Sequence, residues 1–338
     1  MKFKLLSATL LLISFGALGI LSGEIPVRAG ATGEPAEAAD NTPMPTAEVT
    51  VPPETLPPAA TMAPMATAEP TAAPTPTTAA ENPWTPNVTV IATTITSDDP
   101  LDNKTAYDVD GSALLGQLPD ISLSPDGPQI LIVHTHATEA YTPEGEDQYE
   151  STDDYRTLDT TRSVVQVGQA LADALERYGL QVLHERELYD YPSYNGSYAR
   201  SGAAIEAYLA DYPTIQIVID LHRDALGTAD TVYKTVTDQE GVTAAQMMFV
   251  MGSDGSLSYP AWRENLAFAM GLQGLAQAQY PGLMRPTELC AYRYNQQLTP
   301  CSVLLEVGTA GNTLQEAVTA AELFARAVGP ALAALVGA

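Results

Sequence analysis

The chain of 338 residues holds four histidines. Two of them stand at the end of an apolar run, ILIVHTHATEAY, which carries His134, His136 and then Glu139. A third lies in IVIDLHRDA, where Asp220, His222, Arg223 and Asp224 close a second apolar run. Glu306 interrupts a further one, VLLEVG. Two imidazoles and one carboxylate, leaving a coordination position open, form a ligand set used by catalytic zinc. Such an ion polarises a carbonyl and lowers the pKa of its bound water. A second carboxylate is then needed to take the water's proton. Glu306 is the candidate, because a charge in an otherwise apolar strand requires a partner or a role. A single His at a strand end is more often a hydrogen-bonded structural residue. Three of four His at strand ends, each beside acids, fit that reading less well. The spacing is not that of HExxH, so the pattern is less specific than a contiguous metal motif. His136 competes with Glu139 as third ligand, and both His136 and Asp220 are candidates to orient a ligand from behind. His184, which ends QVLH, reads as structural.

Other chemistries find less support. There is no GxSxG elbow and no phosphate loop. Cys290 and Cys301 lie eleven apart without a catalytic signature, and either a disulfide or two free thiols suits them. Two connections carry polar and aromatic residues suited to a substrate wall or to ordinary loop structure: YDYPSYNGSYARS with Arg200, and AYRYNQQLTP with Arg293, Asn295 and Gln296. An arginine in such a wall would meet a carboxylate.

These residues must be positioned by the elements around them. QILIVH, QVLH, IQIVIDLH, AQMMFVMG and VLLEVG read as apolar strands. Between them, RSVVQVGQALADALERYG places Val164, Val167, Leu171, Ala174, Leu175 and Tyr178 at helical spacing, with Gly179 as the stop. SGAAIEAYLADYP, WRENLAFAMGLQGLAQAQYPG and TLQEAVTAAELFARAVGPALAAL complete the helices. Strands alternating with helices predict an α/β domain over 129–338, a mostly parallel sheet with helices on both faces. In such sheets sites gather at the carboxyl ends of the strands, where His134, His222 and Glu306 fall.

The remainder of the chain has other tasks. Lys2 and Lys4 precede an apolar run from Leu5 to Leu21, read as a secretory signal or a membrane anchor over 1–31. Val27-Arg28-Ala29 is a poor cleavage site, which favours the anchor and an extracytoplasmic domain. Residues 32–128 comprise a Pro/Thr/Ala-rich disordered linker and a transition, in which NVTVIATTI is a strand or more linker. The net charge of −26 argues against nucleic acid and anionic lipid as partners.

HTHATEAYTP, YDYPSYNGSYARS, IVIDLHRDA, the WRENL helix, RYNQQL and LLEVGTAGNTLQEA together resemble the stage II sporulation protein P family, in order across about 129–330. That family is similar to zinc-dependent N-acetylmuramoyl-L-alanine amidases. The resemblance implies an amidase-like fold and a peptidoglycan hydrolase that removes stem peptides from glycan strands and also cleaves cross-links. It implies action on septal wall during engulfment, with stage II sporulation proteins D and M as partners. It implies Zn2+ on His134, Glu139 and His222, with Glu306 as the catalytic carboxylate. Arg223 or Arg293 would then pair with stem-peptide carboxylates. The competing classes are a non-catalytic tethered wall-binding scaffold and a zinc carboxypeptidase on stem peptides.

Overall fold

The structure is a computed structural model that describes residues 87–146, 148–150, 155–228 and 230–338. The signal or anchor segment and most of the expected linker lie outside the described residues. Among the described residues, no helix is long and apolar enough to cross a membrane.

The strands are β1 (Asn87–Thr93), β2 (Leu101–Asn103), β3 (Ile130–Val133), β4 (Gln148–Glu150), β5 (Val182–His184), β6 (Ile217–Asp224), β7 (Thr231–Gln239), β8 (Val242–Ala245), β9 (Met247–Met251), β10 (Thr287–Leu289) and β11 (Ser302–Thr309). The helices are α1 (Gly111–Leu114), α2 (Val164–Glu176), α3 (Ser197–Asp211), α4 (Trp262–Gln279) and α5 (Leu314–Ala333). A seven-stranded sheet runs in the order β2-β10-β9-β11-β6-β3-β5. All its pairings are parallel except β9 with β11. A second sheet, β4-β1-β7-β8, includes the β7–β8 hairpin, whose turn places Glu240 and Gly241 at positive φ. The fold is mixed α/β.

Two features differ from the sequence-based expectation. The folded part begins well before residue 129. NVTVIAT is β1, paired with β7, while β2 extends the large sheet through β10. Leu123 is fully buried and bridges to Val336. The second sheet was not expected, because the β7–β8 segment TVYKTVTDQEGVTAA is polar and mostly solvated on one face.

Side-chain alternation explains the helix layers. Ile130, Ile132, Ile217, Ile219, Leu221, Val303, Leu305 and Val307 point to one face, under residues of α2, α4 and α5. Leu131, Val133 and Val218 point to the other, where Ile205 of α3 covers them. Each fully buried aliphatic side chain contributes about 1.5–3 kcal/mol relative to exposure. The helix ends follow local chemistry. The Ser163 side chain accepts from the Val165 amide to cap α2, and Thr313 with Glu316 forms a capping box on α5.

One close approach tests this arrangement. Gly274, inside α4, lies against the loop after α1, where an added Cβ would sit 2.1 Å from the Gly116 backbone nitrogen. Helix propensity alone favours Ala over Gly by about 1 kcal/mol. The contact is with backbone and cannot swing away. Gly274→Ala is therefore expected to lower unfolding free energy by about 1–3 kcal/mol, measured by denaturant titration. A gain in stability would show that α4 sits farther from the loop.

Candidate metal centre

Strand parity decides which histidines meet. Asp220 and His222 share the face of Val218, and Glu306 lies beside His222 in the parallel β6–β11 register. His134 follows Ile132 by two residues and shares its opposite face. There His134 Nε2 lies 2.9 Å from His184 Nε2, and His134 Nδ1 lies 2.8 Å from the Leu221 carbonyl oxygen. Gly168 of α2 leaves room for this pair, since a Cβ there would lie 2.6 Å from the His134 ring. Both ring nitrogens of His134 are thus engaged on the helix side of the sheet. Burial also pushes its pKa down to about 4. His184 is its structural partner, and burial followed by the nearby His134 pushes its pKa down to about 3.

His136 goes the other way because β3 ends at Val133 and residues 135–138 form a turn. That turn brings His136, Glu139 and His222 together, with one ligand atom from each lying within 4.8 Å of the others. His136 Nδ1 is 3.6 Å from Glu139 Oε1, and His222 Nδ1 is 3.3 Å from Glu139 Oε2. The two imidazoles meet edge to face, with ring centroids 5.1 Å apart. All three residues are buried. The structure thus places His136, rather than His134, beside Glu139 and His222. Glu139 and His136, competitors in the sequence, stand in one cluster.

The far side of each imidazole is also held. His136 Nε2 is 3.2 Å from the Ser197 hydroxyl at the start of α3. His222 Nε2 makes a 2.9 Å ion-pair contact with Asp220 Oδ1, without the alignment of a hydrogen bond. Asp220 itself accepts from the Thr135 amide at 2.8 Å and from the Thr135 hydroxyl at 2.7 Å. A carboxylate behind an imidazole is the usual support of a metal-binding histidine. Burial opposes charge on His222, but Asp220 and Glu139 prevail and hold its pKa well above the usual value in the absence of metal. Burial likewise opposes charge on Glu139. Arg223, His136 and His222 outweigh it and hold that carboxyl well below its usual range. Glu139 is further fixed by its carbonyl, which accepts from the Val164 amide at the start of α2.

Glu306 has the opposite environment. Its Oε2 is buried without a hydrogen-bond partner, and burial raises its pKa to about 8. Two carboxyls beside His222 thus have pKa values driven apart, a pattern seen where acid and base roles are divided.

The other expected contacts are occupied. Arg223 donates to the Ala140 and Tyr155 carbonyls, at 3.0 and 2.9 Å, and so clamps the loop that carries Glu139. Arg200 donates to the carbonyls of Tyr189, Asn195 and Ser193, holding its own loop. Arg293 donates to the Ser258 carbonyl, and Asn295 donates to the Tyr198 carbonyl. Cys290 and Cys301 are buried and unbridged, and burial pushes the Cys301 thiol up to about 12. Sequence reasoning did not find three nearby groups. Arg156 lies 3.7 Å from Glu139 and 2.6 Å from Asp190. Ser197 supports His136. Tyr194 stacks on the His136 ring at 4.6 Å. The tyrosine-rich loop was the available signal for Ser197 and Tyr194.

Residues 46–329 match the family described as Stage II sporulation protein P. The chain belongs to that family. It is 31% identical over 211 residues to the stage II sporulation protein P of Bacillus subtilis (strain 168), covering 57% of this chain and 48% of that protein. The chain thus spans about half the length of that curated relative. Among solved structures, it is similar to the N-acetylmuramyl-L-alanine amidase of Mycobacterium abscessus at 14% identity and TM-score 0.37, over 62% of this chain and 99% of that one. The N-acetylmuramoyl-L-alanine amidase of Nostoc punctiforme shares 13% identity at TM-score 0.33, over 61% and 97% of the two chains.

The raised Glu306 pKa has a consequence for stability. Below its ordinary value of 4.5 the carboxyl is neutral both folded and unfolded. As pH rises from there to about 8, the unfolded chain ionises freely and the folded one does not, so Glu306 costs stability progressively. In metal-free protein, Glu306→Gln is expected to melt higher than wild type at pH 8, with the difference vanishing near pH 4. Thermal melts across that range check it, and a difference that grows toward acid would reverse the assignment.

Proposed function

We propose that the chain is a zinc-dependent peptidoglycan hydrolase that cleaves the amide between muramic acid and the stem peptide. The observation that carries this reading is the convergence of His136, Glu139 and His222 beside a buried, unpartnered Glu306 oxygen. Two imidazole nitrogens and a carboxylate suit zinc with a position left open, and a zinc ion bound there supplies carbonyl polarisation and a more acidic water. The ligand set proposed is thus His136, Glu139 and His222, in place of the His134 expected from the resemblance.

The chain's own groups then have defined tasks. Glu306, in its ionised form, takes the proton from water and returns it to the leaving nitrogen. Its buried Oε2 has no competing partner, so it is available for that exchange. Asp220 and Ser197 hold the two imidazoles in the orientation that turns Nδ1 toward Glu139. Arg223 and the two imidazoles keep Glu139 ionised as a ligand, with Arg156 3.7 Å away. Tyr194 and Tyr198 flank His136 and limit the access of bulk water.

Family membership supports placing this activity at the septal wall during engulfment, with stage II sporulation proteins D and M as partners. The apolar run at Leu5–Leu21 and the acidic Pro/Thr-rich segment support an extracytoplasmic domain on a membrane tether.

Two experiments test the reading. Zinc content after dialysis should be lost in His136→Ala and His222→Ala and retained in His134→Gln, which should instead melt at a lower temperature. The reverse pattern would restore His134 as the ligand. On purified peptidoglycan, Glu306→Gln should release stem peptide at least about 100-fold more slowly than wild type, with zinc still bound. Undiminished release would remove Glu306 from the mechanism. Free lactyl ends on muramic acid mark an amidase, new ends within cross-links an endopeptidase, and loss of terminal residues alone a carboxypeptidase.

A further inference from the structure

A row of aromatic rings leads away from the metal cluster to an exposed platform. From His136 it passes to Tyr198 at 5.5 Å between centroids, to Tyr294 at 5.6 Å, and to Tyr292 at 6.2 Å. Tyr292, 61% exposed, ends the row, and Leu257 on a neighbouring loop is 57% exposed. Hydrogen bonds hold the two loops together. The Ser256 amide donates to the Ala291 carbonyl at 3.1 Å, its hydroxyl donates to the same oxygen at 2.6 Å, and Arg293 donates to the Ser258 carbonyl at 2.8 Å. Gly252 makes the approach possible, since a Cβ there would lie 2.0 Å from the Tyr292 carbonyl oxygen. The connection is also tied to α3, where Asn295 donates to the Tyr198 carbonyl at 2.8 Å. The platform is therefore formed in advance, and little ordering cost falls on a ligand.

We propose that Tyr292 and Leu257 form a subsite for the glycan strand, the neutral amino-sugar polymer, rather than for the stem peptide. The assignment rests on the amide-hydrolase reading, in which the sugar–peptide junction lies at the metal cluster. From that junction the strand must leave across the surface in one direction and the peptide in another. The two ends of the aromatic row differ in chemistry. At the Tyr194 end, the Arg156 guanidinium lies 4.9 Å from the ring centroid and is paired with Asp190 and Glu139, a charged setting unlike an apolar platform. At the Tyr292 end, Tyr292 and Leu257 are both exposed, on loops joined by the Ser256–Ala291 hydrogen bonds. A pyranose ring presents a C–H face to an aromatic face, and an N-acetyl methyl suits a leucine. Exposed apolar surface next to a site marks a binding region. The net charge of −26 disfavours a polyanion as occupant.

The test is calorimetric titration of the zinc-loaded full chain with glycan strands stripped of their stem peptides. Wild type should bind. Tyr292→Ala should weaken binding about five- to tenfold, the loss expected for one stacking contact. Tyr292→Phe should keep the affinity, which separates stacking from misfolding. Tyr212→Ala, at an exposed tyrosine beyond α3, should bind as wild type. Failure of wild type to bind peptide-free glycan, or equal binding by Tyr292→Ala, would overturn the proposal. So would an effect of Tyr292→Ala confined to free stem peptide or to self-association. The two readings fail separately. Glycan binding that depends on Tyr292 in a chain releasing no peptide would reject only the hydrolase. Peptide release with glycan affinity indifferent to Tyr292 would reject only the subsite.

Discussion

The site depends on keeping one carboxylate ionised in the interior. Glu139 is 6% exposed, and a charge so placed is costly unless partners surround it. Its neighbours are arranged to that end. The Arg223 amide donates to Oε2 at 3.2 Å, the Arg223 and Arg156 guanidinium groups approach Oε1, and two imidazoles face it. The partners come from β6 (His222 and Arg223), from the turn after β3 (His136) and from the loop that carries Arg156, so the charge is satisfied only when all three are in place. The same contacts that hold Glu139 ionised bring its carboxylate between two imidazole nitrogens.

Glu306 shows what happens without such partners. It lies one strand from His222 on the same face, yet its free oxygen meets no donor and its pKa rises to about 8. The structure thus separates two carboxyls by environment, one charged and held, one pushed toward its neutral form. The division follows from side-chain direction along β6 and β11. Positions that alternate with the leucines and valines of the helix-covered core must point to the opposite face. There α3 contributes Ser197 and Tyr198 beside the cluster rather than a second thick layer of apolar side chains.

Much of this organisation is legible in the chain itself. The apolar runs, the helix spacing with its caps, and the placing of His, Asp and Glu at strand ends identify an α/β domain with its site at the carboxyl edge. The second sheet was hidden because its β7–β8 segment is polar and alternates, unlike the buried strands. The early start of the fold was left open because NVTVIATTI follows a Pro/Thr-rich stretch, β2 has only three residues, and the partners of both strands lie far along the chain.

The sequence by itself determined the candidates: scarce histidines, acids beside them, and an isolated Glu306 in an apolar strand. Only the tertiary structure decided which histidine belongs to the cluster. His134 and His136 are two residues apart and would share a face if β3 continued. The strand stops at Val133, the chain turns, and one ring enters the α2 side to meet His184 while the other swings to Glu139 and His222. Local pattern carries residue type and period. Where a strand ends, and which face a side chain then finds, is set by pairing and burial with segments distant in sequence.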